Sequence, residues 1–486
     1  MLNDELFSLI KSLDGSEKRY FKVFAQMHTE KDRNRYIRLF DLIDAQQTYD
    51  EKEVRQSLEK AGEKSFASNL SFNKRYLYDL LLKCLRNYHA KRSARISLLE
   101  TMIDIAILQE KALIKPARVL LEKARSIAGQ YNHHAIELDL IAQQRKVVRQ
   151  YATKDAEEEL EAIAEANRRI LDRYERELNV LGLYEKVFLQ SRNKNYPEKQ
   201  LTELNQEIWR TVGNQPEEPD FSFDGVAYFH LLRSLVNRLN SRPEEVVHHW
   251  SLLIQHFEKH PELLRESEYQ ERYLNTLNNY FSGCNALGLF DECVAVVEKI
   301  GRIEAASARL KAAVFHTMHY CNMLLLAQKE NYAAIVNEEP EIEKGLKTYA
   351  ANIPQSRQIV FRYNLAVAYY LERQPDMALD RITAIVQDGK KEMRQDVQFL
   401  ARLFHLALHY EKGNEILVEN MLPVIRQYVR KNRKPESIET SIVEALHLSI
   451  KTGKRSALAA LKEKLDRAKG WEEFKFWVRQ LVERRP

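Results

Sequence analysis

Histidines four residues apart on a helix are the first feature that could carry chemistry, because two such imidazoles can share a metal ion. The chain has two pairs of this kind, His256 with His260 and His405 with His409. Neither pair has glutamate directly after its first histidine, the position that zinc proteases need. With 14 histidines in 486 residues, such spacings are expected by chance. We therefore predict no metal site and no cofactor.

Phosphate-binding loops and nucleophile motifs are missing as well. Gly453 precedes a lysine, but no glycine stands five residues before it, as a phosphate loop requires. The pattern Gly-x-Ser-x-Gly does not occur either. We predict no catalytic residues and a protein that is not an enzyme. A site built from paired carboxylates would leave no such motif, so that alternative stays open.

The composition favours an all-α fold. With 14 Gly and 12 Pro, the chain has few residues for hairpin turns, bulges or glycine-rich loops. Hydrophobic residues make up 44% and charged residues 30%, which is enough apolar side chain for a core and argues against disorder. Apolar residues recur three and four positions apart almost everywhere, and alternating strand patterns are missing.

Four cysteines and the hydropathy pattern indicate the compartment. Cys84, Cys284, Cys293 and Cys321 each lie among apolar residues and form no Cys-x-x-Cys pair, so we expect buried, reduced thiols. The first residues do not resemble a signal peptide, and no apolar run is long enough to span a membrane. The sequence predicts a cytoplasmic protein with no membrane contact.

Helix breakers recur at near-regular intervals from residue 96 onward. Second helices are predicted to begin near Pro116, Asp155, Pro197, Pro243, Asp291, Asn331, Pro375, Asn414 and Gly453, which gives a period of about 39–47 residues. Such a period is typical of stacked helical hairpins. We predict an α-solenoid of about nine hairpins, with a first half over 96–212, a loop at 213–225 and a second half over 226–486. Residues 1–95 lie outside the period and form a helical cap domain.

One stretch within this array resembles a tetratricopeptide repeat. Residues 360–386 carry that family's packing pattern at Leu365, Ala366, Tyr369, Ala378, Ile382 and Ile385. Residues 273–300 and 102–128 match more loosely. The family period is about 34 residues, so the hairpins of this chain are longer. The resemblance implies a superhelix whose inner face binds a protein or peptide partner.

The same resemblance points to a candidate binding groove. Its positions are Asn275, Asn278, Ser282 and Asn285 in one repeat and Tyr363 and Tyr370 in another. An asparagine amide both donates and accepts hydrogen bonds, which suits an extended peptide backbone. Two simpler interpretations stay open, namely solvated polar residues for the first set and core packing for the tyrosines. The expected function is a non-enzymatic protein- or peptide-binding scaffold.

The first 95 residues carry the whole net charge of +5, and residues 64–95 hold eight of the basic side chains. Five helices are predicted, at 2–12, 16–28, 33–47, 50–61 and 66–90. The last two, joined through Gly62, resemble a helix-turn-helix. The alternative function is therefore a transcriptional regulator, with nucleic acid contacted by Lys74, Arg75, Lys83, Arg86 and Arg92. A solvated helix face is the simpler interpretation. The sequence leaves the partner and the oligomeric state open.

Overall fold

The computed structural model is all-helical, as predicted. It describes residues 2–28, 33–89, 94–130, 133–151, 154–191, 202–204, 206–207, 210, 221–305, 307–350, 352–387, 394–452, 456–468 and 470–483. These residues contain 24 α-helices, one short 3-10 helix and no strand. Within the same ranges, no helix has the length and apolarity needed to cross a membrane. The chain divides into two compact units, Met1–Gly283 and Cys284–Pro486.

The N-terminal part of the first unit is a group of six helices around its own core. They are α1 Leu2–Ser12, α2 Gly15–His28, α3 Arg33–Ala45, α4 Glu51–Lys60, α5 Lys64–Ser68 and α6 Leu70–His89. Their shared core includes Ile10, Phe21, Phe40 and Leu81. The predicted helix at 66–90 is thus two helices, with a break at Asn69. Of the predicted nucleic-acid residues, Arg92 lies outside the described residues.

The rest of the first unit contains longer helices, most of which pack on the next helix in sequence. They are α7 Ala94–Glu110, α8 Ile114–Gln130, α9 His134–Gln150, α10 Ala156–Ser191, α11 Phe223–Leu239, α12 Pro243–Glu258 and α13 Ser267–Leu287. Helix α13 contains the division between the units. Most of the predicted loop at 213–225 lies outside the described residues, but its last three residues already belong to α11.

The second unit continues this pattern of neighbouring helices. Its helices after α13 are α14 Phe290–Gly301, α15 Ala308–Gln328, α16 Tyr332–Asn337, α17 Glu339–Thr348, α18 Gln355–Leu371, α19 Pro375–Gln387, α20 Gln395–Glu411, α21 Glu415–Asn432, α22 Ile438–Thr452, α23 Ser456–Asp466 and α24 Glu472–Glu483. Two helices depart from the order, because α16 packs chiefly on α18 and because α24 packs on α18 and α20 as well as on α23.

Local signals explain where helices begin. Pro243 and Pro375 each occupy the first position of a helix, where a missing amide proton costs nothing. The Asp50 carboxylate accepts from the amides of Lys52 and Glu53, and so caps α4. Ser222 caps α11 in the same manner. The starts at Glu51, Pro243 and Pro375 fall where the sequence predicted them, whereas α11 begins inside the predicted loop at 213–225.

Two glycines lie inside helices, where the missing side chain can allow a neighbouring helix to approach, and their surroundings differ. A Cβ at Gly283 would lie 2.7 Å from a methyl carbon of Val247, so α12 and α13 pack closely there. A Cβ at Gly182 would meet nothing within 4 Å. Gly283 thus marks a close contact between helices, whereas Gly182 lies on an exposed part of α10.

Candidate binding surfaces

The predicted groove residues of the second unit are covered by the chain's own last helix. Tyr363 and Tyr370 are both buried on α18. The Tyr363 hydroxyl donates to a carboxylate oxygen of Glu473 on α24, at 2.7 Å. The Tyr370 ring lies 5.3 Å from the ring of Phe476, also on α24. The two tyrosines are therefore part of the core and not of an open partner-binding surface.

Helix α24 is held by aromatic packing against α20 as well. The Phe474 ring lies 5.8 Å from that of Phe404, and the Trp477 ring lies 6.2 Å from that of Tyr410. Phe474 and Trp477 are fully buried. Burial raises the pKa of the Glu473 carboxyl, even though the Tyr363 hydroxyl bonds to it. The last helix is thus an amphipathic segment bound across two earlier helices.

The predicted groove residues of α13 have a different environment. The side chains of Asn275 and Ser282 are exposed, and Asn278 is half-buried. Within the described part of the chain, the amides of Asn275 and Asn278 have no hydrogen-bond partner. The Ser282 hydroxyl donates to the Asn278 carbonyl oxygen at 2.9 Å, within its own helix. Asn285 accepts a hydrogen bond from the side chain of Gln328. The two asparagines at 275 and 278 are the open part of the predicted surface.

The basic helix α6 presents only part of the predicted cationic face. Arg75, Lys83 and Arg86 are exposed. Lys74 is only 2% exposed, and its ammonium group contacts the Glu51 carboxylate and the Tyr49 hydroxyl. The prediction of an outward-facing Lys74 is wrong because this cation links α6 to the start of α4. Burial raises the pKa of Tyr49 against the lowering effect of Lys74.

Sequence patterns missed a buried polar cluster in the first unit. Glu177, in the middle of α10, lies 3.1 Å from the Nε2 atom of His134 at the start of α9. The Ser222 hydroxyl donates to the other carboxylate oxygen at 2.6 Å and accepts the amide of Gly225 at 3.0 Å. Burial alone would lower the pKa of His134, but its interactions with the carboxylates of Glu137 and Glu177 outweigh burial and raise the pKa to about 9.

This cluster links three helices through hydrogen bonds and does not activate a nucleophile. Both carboxylate oxygens of Glu177 are occupied, and the histidine contacts the carboxylate instead of the serine hydroxyl. A serine nucleophile needs a base within hydrogen-bond reach of its oxygen. A cavity of about 290 Å³ borders the cluster, and its walls include Arg95, Tyr174 and Tyr228. No spacing rule would have found these residues, because Glu177 and Ser222 are 45 positions apart.

The histidine pairs form contacts with protein groups. The Nε2 atoms of His405 and His409 lie 3.0 Å apart, and His405 also contacts the Thr383 hydroxyl. The His256 Nε2 atom lies 3.1 Å from the carbonyl oxygen of Phe223. Burial, followed by the neighbouring His409, lowers the pKa of His405 to about 4. Within the described residues, no group of three or more side chains has the geometry of a metal site.

The four cysteines are buried, as expected from their apolar neighbours, and none of them forms a disulfide within the described residues. Burial raises the pKa of Cys84 and of Cys321 to about 12, so these thiols are poor nucleophiles at neutral pH. Comparison with protein-family models, with curated proteins and with solved structures finds no match for this chain. The chain's own surfaces are therefore the evidence for its function.

Proposed function

We propose that the chain is a non-enzymatic scaffold that binds a protein or peptide partner through helical hairpins, stacked as an α-solenoid of about nine units behind an N-terminal cap. Packing of most helices on their neighbours in sequence supports this proposal, because each hairpin of such an array contacts chiefly the next one. Buried, reduced cysteines support a cytoplasmic location.

The observation that carries the proposal is the position of α24. This helix places Glu473, Phe474 and Trp477 against α18 and α20, over the positions expected to bind a partner. An amphipathic helix laid into a groove between helices is a common mode of protein recognition. The packing of α24 on α18 and α20 is thus an example, within the chain, of the helix-binding contact that we propose for its hairpins.

The open counterpart of this surface is on α13. In the register of the two repeats, Asn278 stands where Tyr363 stands, and Asn285 stands where Tyr370 stands. The first pair of positions differs in exposure, because Tyr363 is buried under α24 whereas Asn278 is only half-buried. We propose that a partner helix or extended peptide binds here, with its polar groups bonded to Asn275 and Asn278.

Site-specific photo-crosslinking in cells tests this proposal. A photoreactive amino acid at Asn278 is expected to capture a defined partner, which mass spectrometry identifies. The same amino acid at Asn420, an exposed asparagine of α21, is the matched control and should not capture it. In the double variant Asn275→Ala/Asn278→Ala, copurification of that partner should fall about tenfold or more.

The opposite results would refute the α13 surface. If positions 278 and 420 capture the same proteins, the crosslinks report random encounters. If the double variant retains the partner at the level of the unchanged protein, the two amides do not contribute to binding. Thermal melting of each variant must match that of the unchanged protein, so that misfolding does not imitate a loss of binding.

A further inference from the structure

Helix α7 exposes an apolar stripe on the side that faces away from its core contacts. Leu99, Ile103 and Ile107 are four residues apart and therefore lie along one face of the helix. All three are exposed, and Ile103 is 60% exposed. The core side of the same helix is formed by Leu98 and Ile105, which are fully buried. A contiguous exposed apolar stripe on a helix indicates an interaction surface.

Two acids border this stripe. Glu100 and Asp104 follow Leu99 and Ile103 in sequence and project next to them around the helix. Both carboxylates are exposed, and neither forms an ion pair with a described residue. The surface of α7 is therefore aliphatic and acidic, a combination that favours a partner with apolar and basic groups.

The outer face of α6 has the complementary composition. Its exposed apolar side chains are Phe72, Tyr76 and Leu82, and its exposed cations are Arg75, Lys83 and Arg86. Phe72 is 69% exposed, which is unusual for an aromatic residue of a soluble helix. None of the three cations forms an ion pair with a described residue. The face contains one acid, Asp79.

We infer that the α6 face of one chain binds the α7 face of a second copy. Every chain carries both faces, so two copies related by a twofold axis make the contact twice and leave neither face uncovered. Within one chain the faces do not cover each other, because Phe72 and Ile103 stay exposed. The charges match in the same pairing, with unpaired cations on one face and unpaired acids on the other.

Sedimentation velocity on the full chain tests the apolar part of the contact. The unchanged protein is expected to form a dimer as its concentration rises, and Ile103→Asp should abolish that dimer. Ile416→Asp is the matched control, because Ile416 on α21 is a 79% exposed isoleucine outside the proposed contact. A protein that stays monomeric at every concentration, or an Ile103→Asp variant that still dimerises, overturns the inference.

Charge reversal tests the pairing itself. The variants Lys83→Glu/Arg86→Glu and Glu100→Lys/Asp104→Lys should each weaken the dimer by about tenfold or more. A chain that carries all four substitutions should dimerise again, since the two faces then carry exchanged charges. If the fourfold variant is as weak as either pair alone, α6 and α7 do not face each other and the inference fails.

A nucleic acid is the competing occupant of the α6 face, and a duplex DNA probe distinguishes it. If the α6 face forms the dimer contact, Lys83 and Arg86 bind the acids of a second chain and are not required to bind DNA. If the unchanged chain is monomeric and binds duplex DNA, and Lys83→Glu/Arg86→Glu abolishes that binding, then the α6 face is a nucleic-acid surface. That result overturns the inference. Absence of DNA binding together with a charge-dependent dimer supports it.

Discussion

Helices α13 and α18 occupy the same place in the repeat register, yet the predicted binding face is covered on α18 and open on α13. On α18, Tyr363 is sealed beneath α24 and bonded to Glu473. On α13, the counterpart Asn278 is only half-buried, and its amide has no partner among the described residues. The difference follows the residue types, because aromatic rings gain stability when covered, whereas amides lose hydrogen bonds to water unless they are re-bonded.

The comparison indicates how a repeat array can use one surface in two ways. Where the outward positions of a first helix are aromatic, the chain supplies its own covering helix. Where they are polar, the surface stays open to an external partner. Substitutions in α24, α20 and α13 test whether covered and open faces differ in this way.

The largest expected effect is the removal of the buried tryptophan that holds α24. Trp477 is 0% exposed, so Trp477→Ala should lower the free energy of unfolding by about 3–5 kcal/mol through lost apolar burial and a cavity. Urea unfolding measures the change, and hydrogen exchange should show faster exchange in α18 and α20 than in helices of the first unit.

Arg479→Ala on the same helix is the control for this experiment. The Arg479 side chain is half-exposed and pairs with Asp466 at 2.9 Å, a surface contact that contributes about 1 kcal/mol or less. If Trp477→Ala is no more destabilising than Arg479→Ala, α24 is not an integral part of the second unit, and the contrast with α13 disappears.

A smaller effect should come from pH. The pKa of His405, on a helix covered by α24, lies at about 4, below its ordinary value of 6.5. Below pH 6.5, His405 therefore takes up a proton in the unfolded chain but not in the folded chain. The stability that neutral His405 contributes is lost as pH falls from 6.5 toward 4. The expected loss is on the order of 1–3 kcal/mol. Hydrogen exchange in α20 at pH 7 and pH 5, corrected for intrinsic rates, measures it.

The ion pair between His134 and Glu177 in the first unit should respond to pH in the opposite direction. The pKa of His134, about 9, lies above 6.5, so the contribution of this histidine to stability is complete below pH 6.5 and is lost as pH rises through 9. Opening of α9 should therefore become easier at high pH, while α20 weakens at low pH.

Replacement of His405 by Gln should flatten the acid response of α20, and His447→Gln on α22 serves as the control. An unchanged acid response in His405→Gln contradicts the assignment.

The smallest effect is expected at the open face. Asn275→Ala and Asn278→Ala remove side chains without a described partner, and alanine favours a helix over asparagine by about half a kcal/mol. The melting temperature should stay the same or rise slightly. A fall comparable to that of Trp477→Ala would mean that these amides have a structural role, and the division between covered and open faces would be wrong.

Helix positions could be predicted from the sequence because their signals are local. Breakers at Pro243, Pro375 and Asn414 stand within one residue of helix starts, and Asp50 caps its helix through amides two and three positions away. The packing residues named for 360–386, such as Leu365 and Ala378, are buried as expected. Each of these outcomes depends on a few neighbouring residues and on the 3.6-residue period.

The candidate surface was predicted less well, because exposure depends on distant segments. The sequence pattern places Lys74 on a cationic face, but its ammonium group is buried in a contact with Glu51 on another helix. Tyr363 reads as a groove residue, but its partner Glu473 is 110 positions further along the chain. Local periodicity gives the face on which a side chain lies, but it does not give what covers that face.

The all-helical fold, most helix starts and the burial of the cysteines follow from local patterns, since apolar spacing, proline and capping groups act within a turn or two. Long-range packing places α24 across α18 and α20, brings His134 and Ser222 to Glu177, and leaves Asn275 exposed. The physical reason is that burial and hydrogen-bond pairing depend on three-dimensional neighbours, and those neighbours come from segments far apart in the chain.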